Sequence, residues 1–478
     1  MASSTRSAGE PPAIVWFRDD LRLSDNPALT EAAAGGEPLV ALYVLDDAAM
    51  GAWRPGAASR WWLHHALTSL AADLATRGVP LVLRRGAADV ALFSLIAETK
   101  ARSVYWNRIY EPWAVRRDGE IKARLHAEGV KAQSFNGSLL FEPSELRKPQ
   151  GDPYRVFTPF WRACLVRPAP EAPLPAPARF LGAPAPKSER LDDWRLLPTK
   201  PDWAGGLREA WTPGESAAQA KLADFAKTRA AQYGAGRDAI GEDGVSRLSP
   251  HLHFGEVSPR QIWRAVSSQT GEAGAPYLRQ LGWREFSRHL LFANPNLAEE
   301  PLDRSFTRFP WRKDAAGLAA WRKGRTGYPL VDAGMRELWR TGYMHNRVRM
   351  VAASFLIKHL LIHWREGEAW FWDTLVDADL ANNAASWQWV AGCGADAAPY
   401  FRIFNPVLQG EKFDSEGVYV RRFVPELARL KAKWIHRPWE APEAVLEAAG
   451  VRLGETYPRP MVDHAAARAR ALAAYAER

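Results

Sequence analysis

The first part of the chain alternates short apolar runs with longer stretches of helical periodicity. The apolar runs are AIVWF, PLVALYVLD, VPLVLRRG, SVYWN and VKAQSF, and amphipathic stretches such as SRWWLHHALTSLAADLATRG separate them. Strands that alternate with helices at this spacing form parallel, doubly wound sheets. The turn after the first run, RDDLRLSDNPAL, contains no G-x-G-x-x-G, so the usual dinucleotide cradle is absent. We therefore predict an α/β domain over residues 1–135.

The periodicity changes twice further along the chain. Residues 136–210 include the Pro/Ala-rich run VRPAPEAPLPAPARFLGAPAPKSERL, which cannot sustain regular helix or sheet ladders. From residue 211 onward the apolar spacing follows the 3.6-residue period, for example in APYLRQLGWREFSRHLLFA and HNRVRMVAASFLIKHLLIHW. The sequence predicts an interdomain connector over 136–210 and a mostly α-helical domain over 211–478.

Composition narrows the classes of protein that fit this pattern. The chain has 478 residues, which favours two domains. Its net charge of +9 fits an anionic partner such as nucleic acid and fits a well-solvated basic surface about equally. No uninterrupted apolar run reaches eighteen residues and the start lacks a signal-peptide pattern, so we expect a soluble cytoplasmic protein with no membrane partner. Cys164 and Cys393 are the only cysteines, which excludes a cysteine zinc site and a four-cysteine iron–sulfur cluster, and we expect no metal.

Two Ser–Pro pairs mark a candidate anion site. Ser249–Pro250 and Ser258–Pro259 each place a hydroxyl before a proline, which is the preferred start of a helix. Free N–H groups at a helix start attract anions, and Ser246 and Arg247 directly upstream add a hydroxyl and a guanidinium. A diphosphate would fit there, although a Ser–Pro pair is also a common start of a helix that binds no ligand.

A second candidate site lies on a predicted helix in TGYMHNRVRM. Asn346, Arg349 and Met350 share one face at i, i+3 and i+4, with Arg347 to one side. Polar groups together with a soft thioether suit a cavity better than a core.

The stretch DADLANN offers partners for that face. Asp377 and Asp379 can accept bonds from Arg349 and from the donors of a ligand, while Asn382 and Asn383 both donate and accept. Paired carboxylates are typical of glycosidases or metal sites, but no partner cluster in the sequence supports either class.

Taken together, six long motifs closely resemble the photolyase/cryptochrome family: IVWFRDDLRLSDNPAL, SRLSPHLHFGEVSPRQ, QLGWREFSRHLL, GRTGYPLVDAGMRELWRTGYMHNRVRMVAASFL, LIHWREGEAWFWDTLVDADLANN and FRIFNPVLQGEKFD. They span nearly the whole chain. The resemblance implies an N-terminal α/β antenna domain, a connector and a helical domain that binds FAD in a bent conformation. It implies cofactor contacts at Tyr233, Ser246, Arg247, Leu248, Ser249, Tyr277, Arg284, Arg349, Asp377, Asp379 and Asn383.

The resemblance also assigns roles within the cofactor site. Arg284 would lie near the phosphates, Arg349 would pair with Asp377, and Asn383 would face the flavin N5. An amide at N5 can hydrogen-bond to a protonated or reduced flavin without adding a charge that competes for the proton. Plant-type cryptochromes tend to carry Asp at this position, so Asn favours a repair enzyme.

Three tryptophans match the family's electron-transfer chain. Of the 22 tryptophans in the sequence, Trp387, Trp364 and Trp311 stand at the positions of the rings that carry electrons from the surface to photoexcited oxidised flavin. Any one of them alone would be interpreted as a core residue, since tryptophan buries much area. All three at the family spacing favour the functional interpretation.

The resemblance implies that UV-damaged DNA is the substrate and that the lesion is flipped into a pocket beside the flavin. The flat faces of Trp283 and Trp389 would wall this pocket, and Asn346 with Met350 matches the class that repairs cyclobutane pyrimidine dimers. Gln280 stands where many dimer photolyases have Glu. Candidate DNA phosphate contacts are Arg237, Arg347 and Arg402.

The resemblance also implies an antenna chromophore and a light-driven reaction. Asn107 and Glu111 stand where relatives bind methenyltetrahydrofolate, with a deazaflavin or no antenna as alternatives. The mechanism that the resemblance implies is electron donation from excited, fully reduced FAD to the flipped dimer, ring splitting and return of the electron. The alternatives are a blue-light signalling cryptochrome and a (6-4) photolyase. We expect a monomer without an obligate protein partner.

Overall fold

The N-terminal part of the protein folds around a parallel sheet. A computed structural model describes residues 10–400 and 402–478. Its strands, β1 to β5 in chain order, are Ala13–Phe17, Leu39–Leu45, Leu81–Arg85, Ser103–Asn107 and Lys131–Phe135. They lie in the order β3-β2-β1-β4-β5 with parallel pairing throughout, which confirms the predicted doubly wound α/β domain.

Helices cover both faces of this sheet. The first five, α1 to α5, are Pro27–Ala34, Asp47–Met50, Ala57–Ala75, Ala88–Thr99 and Pro112–Ala127. Helices α1 and α3 pack on the face that contains Val15 and Ala41, and helices α4 and α5 pack on the face that contains Trp16 and Leu42. Because the central strands are buried on both sides, their sequences are continuous apolar runs.

The remainder of the chain is helical. Helices α6 to α22 are, in order, Phe157–Leu165, Gly205–Ala210, Glu215–Thr228, Tyr233–Gly236, Ser249–His253, Pro259–Thr270, Ala275–Ala293, Ala315–Arg322, Pro329–Thr341, Asn346–Ser354, Trp364–Thr374, Leu380–Ala391, Pro406–Phe413, Val418–Phe423, Ala432–Ile435, Glu443–Ala449 and His464–Ala476. Short 3-10 turns occur at Gly51–Trp53, Leu191–Trp194, Ala230–Gln232, Gly271–Gly274, Arg304–Arg308, Pro425–Leu427 and Pro438–Glu440. The largest core of this part surrounds Trp321, Trp364 and Trp387.

The connector segment packs on both domains. Helix α6 contributes Phe157, Phe160 and Trp161 to a core that it shares with α12 and α17. Further along, the N–H of Leu39 at the start of β2 donates to the carbonyl of Leu181, so the chain returns along the sheet. The boundaries at 135 and 210 stay predictions, but the segment between them contributes to the helical core.

One predicted helix is interrupted. The spacing of residues 345–364 predicts continuous helix, yet α15 ends at Ser354, a π-helical turn spans Phe355–His359, and α16 begins at Trp364. Leu361 has a φ of +55°, and the His363 side chain caps α16 by accepting the N–H of Arg365. Apolar residues surround this stretch on all sides, so periodicity alone could not locate the break.

Within residues 10–400 and 402–478, no helix is long and apolar enough to cross a membrane. Over the same ranges, no group of three or more His, Cys, Asp or Glu side chains is arranged to hold a metal ion. Both cysteines are buried free thiols, and burial raises their pKa.

Candidate active site

A cavity of about 520 Å³ lies among the helices of the C-terminal part. Most of the predicted site residues line it, namely Tyr233, Arg237, Ser246, Arg247, Leu248, Ser249, Tyr277, Gln280, Trp283, Arg284, Asn346, Arg349, Met350, Asp377, Asp379, Asn383, Trp387 and Trp389. They come from segments up to 156 positions apart in sequence, from Tyr233 to Trp389. The fold therefore brings the predicted cofactor residues and the predicted lesion residues into one space.

A carboxylate cluster forms one wall of the cavity. The guanidinium of Arg349 donates to both oxygens of Asp377 at 3.1 and 2.9 Å, as the sequence predicted. The hydroxyl of Ser249 also donates to Asp377, at 2.6 Å. The prediction that Ser249 caps a helix is therefore wrong: Leu248 holds the cap position and Ser249 is the first helical residue. Ser258 does cap α11, in a capping box with Gln261.

The neighbouring carboxylate organises the helix that carries the central amide. Asp379 caps α17 by accepting the N–H of Asn382 at 2.9 Å, and its other oxygen forms a short ion pair with Arg288. Burial opposes the charge of Asp379, but Arg288, His253 and Arg284 outweigh it and hold the pKa of Asp379 well below its usual range. This group is consequently a permanent anion at the cavity wall.

Cationic and hydroxyl groups form another part of the wall. Tyr277 donates its hydroxyl to Ser246 at 3.0 Å, and the guanidinium of Arg247 lies 5.0 Å from the ring of Tyr343. Arg247 has a φ of +51°, an uncommon backbone conformation for a residue with a side chain. Arg284 donates to the carbonyl of Ser138 at 2.8 Å, and burial together with the charge of Arg288 lowers its pKa. Arg284 is mostly buried and lies 3.5 Å from the carboxylate of Glu285. Because it also lines the cavity, its guanidinium suits an anionic ligand there.

Asn383 and Trp387 follow one another along α17. Asn383 is 8% exposed and donates its amide to the backbone carbonyl of Glu368 at 3.0 Å. Trp387 lies one turn later, packed against Gly367 of α16, where any Cβ would overlap the indole. Gly367 therefore lets the Trp387 ring approach the helix that begins with Trp364.

The other two tryptophans of the predicted chain lie away from the cavity. Trp364 is fully buried and Trp311 is partly buried. The ring of His363 lies between them, 5.6 Å from Trp364 and 4.9 Å from Trp311. Of the three tryptophans, Trp387 lines the cavity, and Trp364 and Trp311 each contact the His363 ring.

Comparison with known proteins identifies the fold and its cofactor. Residues 277–477 match the family model described as the FAD binding domain of DNA photolyase, and residues 13–178 match the model described as DNA photolyase. A deoxyribodipyrimidine photo-lyase of Agrobacterium fabrum is 53% identical over 97% of this chain and 98% of its own length. The chain belongs to the photolyase/cryptochrome family. Its cofactor is FAD.

Two further photolyase/cryptochrome relatives show the breadth of the family. The crystal structure of a class III photolyase from Agrobacterium tumefaciens superposes with a TM-score of 0.95 at 53% identity, covering 100% of this chain and 99% of that one. Cryptochrome-1 of Arabidopsis thaliana is 42% identical over 96% of this chain and 69% of its own length. Proteins named photolyase and proteins named cryptochrome are therefore both similar to this chain over most of its length.

The cavity residues fit FAD. The buried cation of Arg284 and the hydroxyl of Ser246 suit a diphosphate, while Asp377 and Asp379 can accept N–H donors of the flavin and adenine rings. The amide of Asn383 adds a group that can donate or accept. The photolyase model matched at residues 277–477 includes four of these five side chains.

Aromatic walls and the Asn–Met pair lie at the same cavity. Trp283 and Trp389 both line it, from helices α12 and α17. The amide of Asn346 lies 3.9 Å from the sulfur of Met350, one turn later on α15, as their spacing predicted. Gln280 donates to the carbonyl of Pro276 at 3.2 Å and keeps its amide oxygen available to the cavity.

The three predicted DNA-contacting arginines differ in position. Arg237 lines the cavity with its side chain 34% exposed. Arg347 instead donates to Asp238 at 2.9 Å and lies 4.4 Å from the ring of Phe413, so an internal partner already holds it. Arg402 is exposed and lies outside the cavity lining.

The predicted antenna residues, Asn107 and Glu111, lie where the α/β domain meets the helical domain. The amide nitrogen of Asn107 donates to Asp20 at 2.6 Å and to Asn26 at 2.7 Å, and its oxygen accepts the N–H of Ala28 at 3.2 Å. Asn107 is only 2% exposed and these bonds favour a structural role, while its assignment to an antenna stays a prediction.

Glu111 also has protein partners on both oxygens. One accepts the N–H of Tyr110 at 3.1 Å and the other pairs with Arg288 at 2.8 Å. Arg288, which the sequence interpretation missed, therefore joins Glu111 of the α/β domain to Asp379 of the cavity. The sequence feature that could have indicated Arg288 is its position one turn after Arg284 on α12, because this spacing places both guanidinium groups on one face of the helix.

Proposed function

We propose that this protein repairs cyclobutane pyrimidine dimers in DNA by light-driven electron transfer. The observation that carries the proposal is that a single cavity contains both the FAD-binding groups and two flat aromatic walls, Trp283 and Trp389. When bound and fully reduced, FAD supplies an electron to the dimer under light and recovers it after the ring has split. The side chains bind and orient both partners, so no nucleophile or metal ion is required.

Each wall of the cavity has a task in this function. Trp283 and Trp389 stack on the flipped dimer, because stacking on an aromatic face accepts any pyrimidine pair. Asn346 and Met350 contact the dimer from α15. Gln280 hydrogen-bonds the damaged bases in place of a carboxyl group, since its amide both donates and accepts.

Trp387, Trp364 and Trp311 keep the cofactor supplied with electrons. Trp387 lies at the cavity and the other two continue away from it, with the His363 ring between Trp364 and Trp311. Arg237 and Arg402 contact the DNA backbone, with Arg347 acting from its pair with Asp238. We further propose that the protein works as a monomer in the bacterial cytoplasm.

We also propose that the protein binds an antenna chromophore in addition to FAD. Methenyltetrahydrofolate is the candidate, with a deazaflavin or an empty site as alternatives. Asn107 and Glu111 are its candidate contacts, and in the conformation described they would reach it only by giving up present bonds. Absorbance and mass spectrometry of the chromophores released from purified protein would decide between the three.

Repair of defined lesions tests the proposal. Reduced, FAD-loaded protein is incubated in light and in darkness with DNA that contains one thymine dimer, and separately with DNA that contains one (6-4) product. We expect repair of the dimer in light only. Repair of the (6-4) product alone would favour the (6-4) enzyme, and repair of neither lesion would favour the signalling cryptochrome.

Trp387→Phe separates electron supply from repair. We expect this variant to lose reduction of its flavin under blue light with a thiol donor, because phenylalanine is much harder to oxidise than tryptophan. Dimer repair should persist once dithionite has reduced the flavin. The matched control is Trp106→Phe, at a buried tryptophan on β4. Equal photoreduction in both variants would contradict the assigned role.

A further inference from the structure

Phe157 lies directly behind one of the two lesion walls. It is the first residue of α6 and is fully buried. Its ring centroid lies 3.7 Å from that of Trp283, and the two planes differ by only 6°. Trp161, one turn later on α6, continues the stack at 6.3 Å and 10°. The segment predicted as a connector therefore supplies the backing of a cavity wall.

Close packing also holds the rear of this stack. Gly282, next to Trp283 on α12, lies against the Trp161 ring, and any Cβ there would overlap that ring. Trp161 in turn packs near Trp263 at 6.2 Å. The rings behind Trp283 consequently have little room to shift.

The start of α6 is also tied to the second wall. The backbone N–H of Phe157 donates to the carboxylate of Asp396 at 3.2 Å. Asp396 lies in the loop after α17, where Ala395 lines the cavity and the N–H of Ala398 donates to the carbonyl of Trp389 at 3.3 Å. One short segment thus contacts Trp283 directly and the Trp389 wall through this loop.

A lesion wall requires a fixed ring plane. Trp283 is only partly buried, and an indole that faces open space can rotate about χ1 and χ2. A ring packed face to face at this distance restrains that rotation, because turning the indole out of the shared plane would lose the contact or cause a clash. Ordering the ring before DNA arrives lowers the entropy cost of binding, which is the general benefit of preorganisation.

We infer that Phe157 is a positioning residue for lesion recognition, which holds the Trp283 indole parallel to the incoming dimer. The inference rests on the proposed function, because it assigns Trp283 to the dimer. Phe157 itself touches neither DNA nor FAD. Its effect is exerted on the affinity for the lesion and not on the chemistry of the bound dimer.

The test compares two substitutions on the same helix. Phe157→Leu removes the flat partner of Trp283, whereas Phe160→Leu removes an equally buried ring that contacts Phe286 and His289. Fluorescence anisotropy in darkness gives the Kd of FAD-loaded protein for dimer-containing and undamaged oligonucleotides. Aromatic pairs of this kind correspond to about 3- to 10-fold in an equilibrium constant. We expect F157L to weaken dimer binding by about that factor and F160L to leave it unchanged.

A double-mutant cycle distinguishes an effect of Phe157 on Trp283 from a general contribution of Phe157 to folding. In a Trp283→Leu background, F157L should have no further effect on dimer affinity, because the ring that it orients is gone. Repair per bound dimer should stay at the wild-type value in F157L. If F157L does not fold, Phe157→Met, which removes the ring with a different apolar chain, takes its place.

The possible outcomes distinguish failure of this inference from failure of the proposed function. Wild-type protein that binds damaged and undamaged DNA equally would overturn the proposed function and this inference together. Wild-type discrimination combined with unchanged binding by F157L would overturn the inference alone. A loss in F160L equal to that in F157L, or an F157L effect that persists in W283L, would also overturn it.

Discussion

The carboxyl edge of the parallel sheet and the helical cavity both gather buried polar side chains, but they use them differently. At the sheet edge, Asn107 bonds Asp20, Asn26 and the N–H of Ala28. At the cavity, Asn383 has one bond, to the Glu368 carbonyl, and still lines the open space. Both asparagines are nearly inaccessible, so burial alone does not distinguish a structural amide from one that awaits a ligand.

The number of protein partners distinguishes the two regions. A buried polar group that is saturated by protein partners stabilises the fold, and using it for a ligand would cost those bonds. A buried group with remaining capacity beside a cavity is poised to bind. By this criterion the edge of the sheet joins the domains, and the cavity among the helices keeps side chains with capacity to bind a ligand.

Arg288 connects the two regions, and its loss should have the largest effect. Arg288→Met leaves Glu111 and Asp379 without their shared cation. Removing one partner of a buried ion pair costs about 3–5 kcal/mol. We expect a decrease of that size in the free energy of unfolding, measured with urea, together with reduced FAD content after purification.

Arg208→Met is the matched control. Arg208 pairs with Asp202 at 2.7 Å, but the two side chains are 50% and 44% exposed. Such an exposed pair contributes little to stability, because water and salt screen it. If R288M were no less stable than R208M, the two regions would not depend on each other through this guanidinium.

The difference between the regions also explains what the sequence could predict. Strands such as Ala13–Phe17 are apolar throughout because they are buried on both faces, so local composition was sufficient. Helix Ala275–Ala293 has clear periodicity and proline signals, and its bounds matched the prediction. The resemblance named residues from distant segments of the chain, and the structure brings most of them to one cavity, while their individual roles stay predictions.

Long-range contacts account for what was missed. Ser249 carries the same Ser–Pro signal as Ser258, and only Asp377, 128 residues away, turns its hydroxyl toward the cavity. Arg288 acts on Glu111, 177 residues earlier in the chain. No local pattern encodes such pairings. The proline-rich composition of residues 136–210 likewise gave no sign that Phe157 would stack on Trp283.

The carboxyl groups of Asp19, which follows β1, and of Asp379, at the cavity, have pKa values shifted in opposite directions. Burial, reinforced by the charge of Glu111, raises the pKa of Asp19 to about 6, whereas the pKa of Asp379 is held low. Folded protein therefore keeps the Asp19 proton while unfolded chain loses it above about pH 4. This contribution to stability is present at low pH and is lost as pH rises from about 4 to 6, a loss of about 3 kcal/mol in total.

Asp19→Asn should remove that pH dependence. Urea unfolding at intervals from pH 4 to 7 should show wild-type stability falling relative to D19N as pH rises. Asp379→Asn should shift stability by a constant amount over the same range, because a carboxylate with a strongly depressed pKa does not titrate there. Parallel curves for wild type and D19N would show that Asp19 ionises normally in the folded protein.

The smallest predicted effect compares the two asparagines directly. Asn107→Ala removes three buried hydrogen bonds, to Asp20, to Asn26 and from the N–H of Ala28, which costs about 1–3 kcal/mol, whereas Asn383→Ala removes one hydrogen bond, worth about 0.5–1.5 kcal/mol. N107A should therefore unfold at lower urea than N383A, with unchanged flavin and antenna absorbance. N383A should instead alter how readily the bound flavin is reduced. Loss of an antenna absorbance band in N107A, without loss of stability, would reverse the structural assignment of the sheet edge.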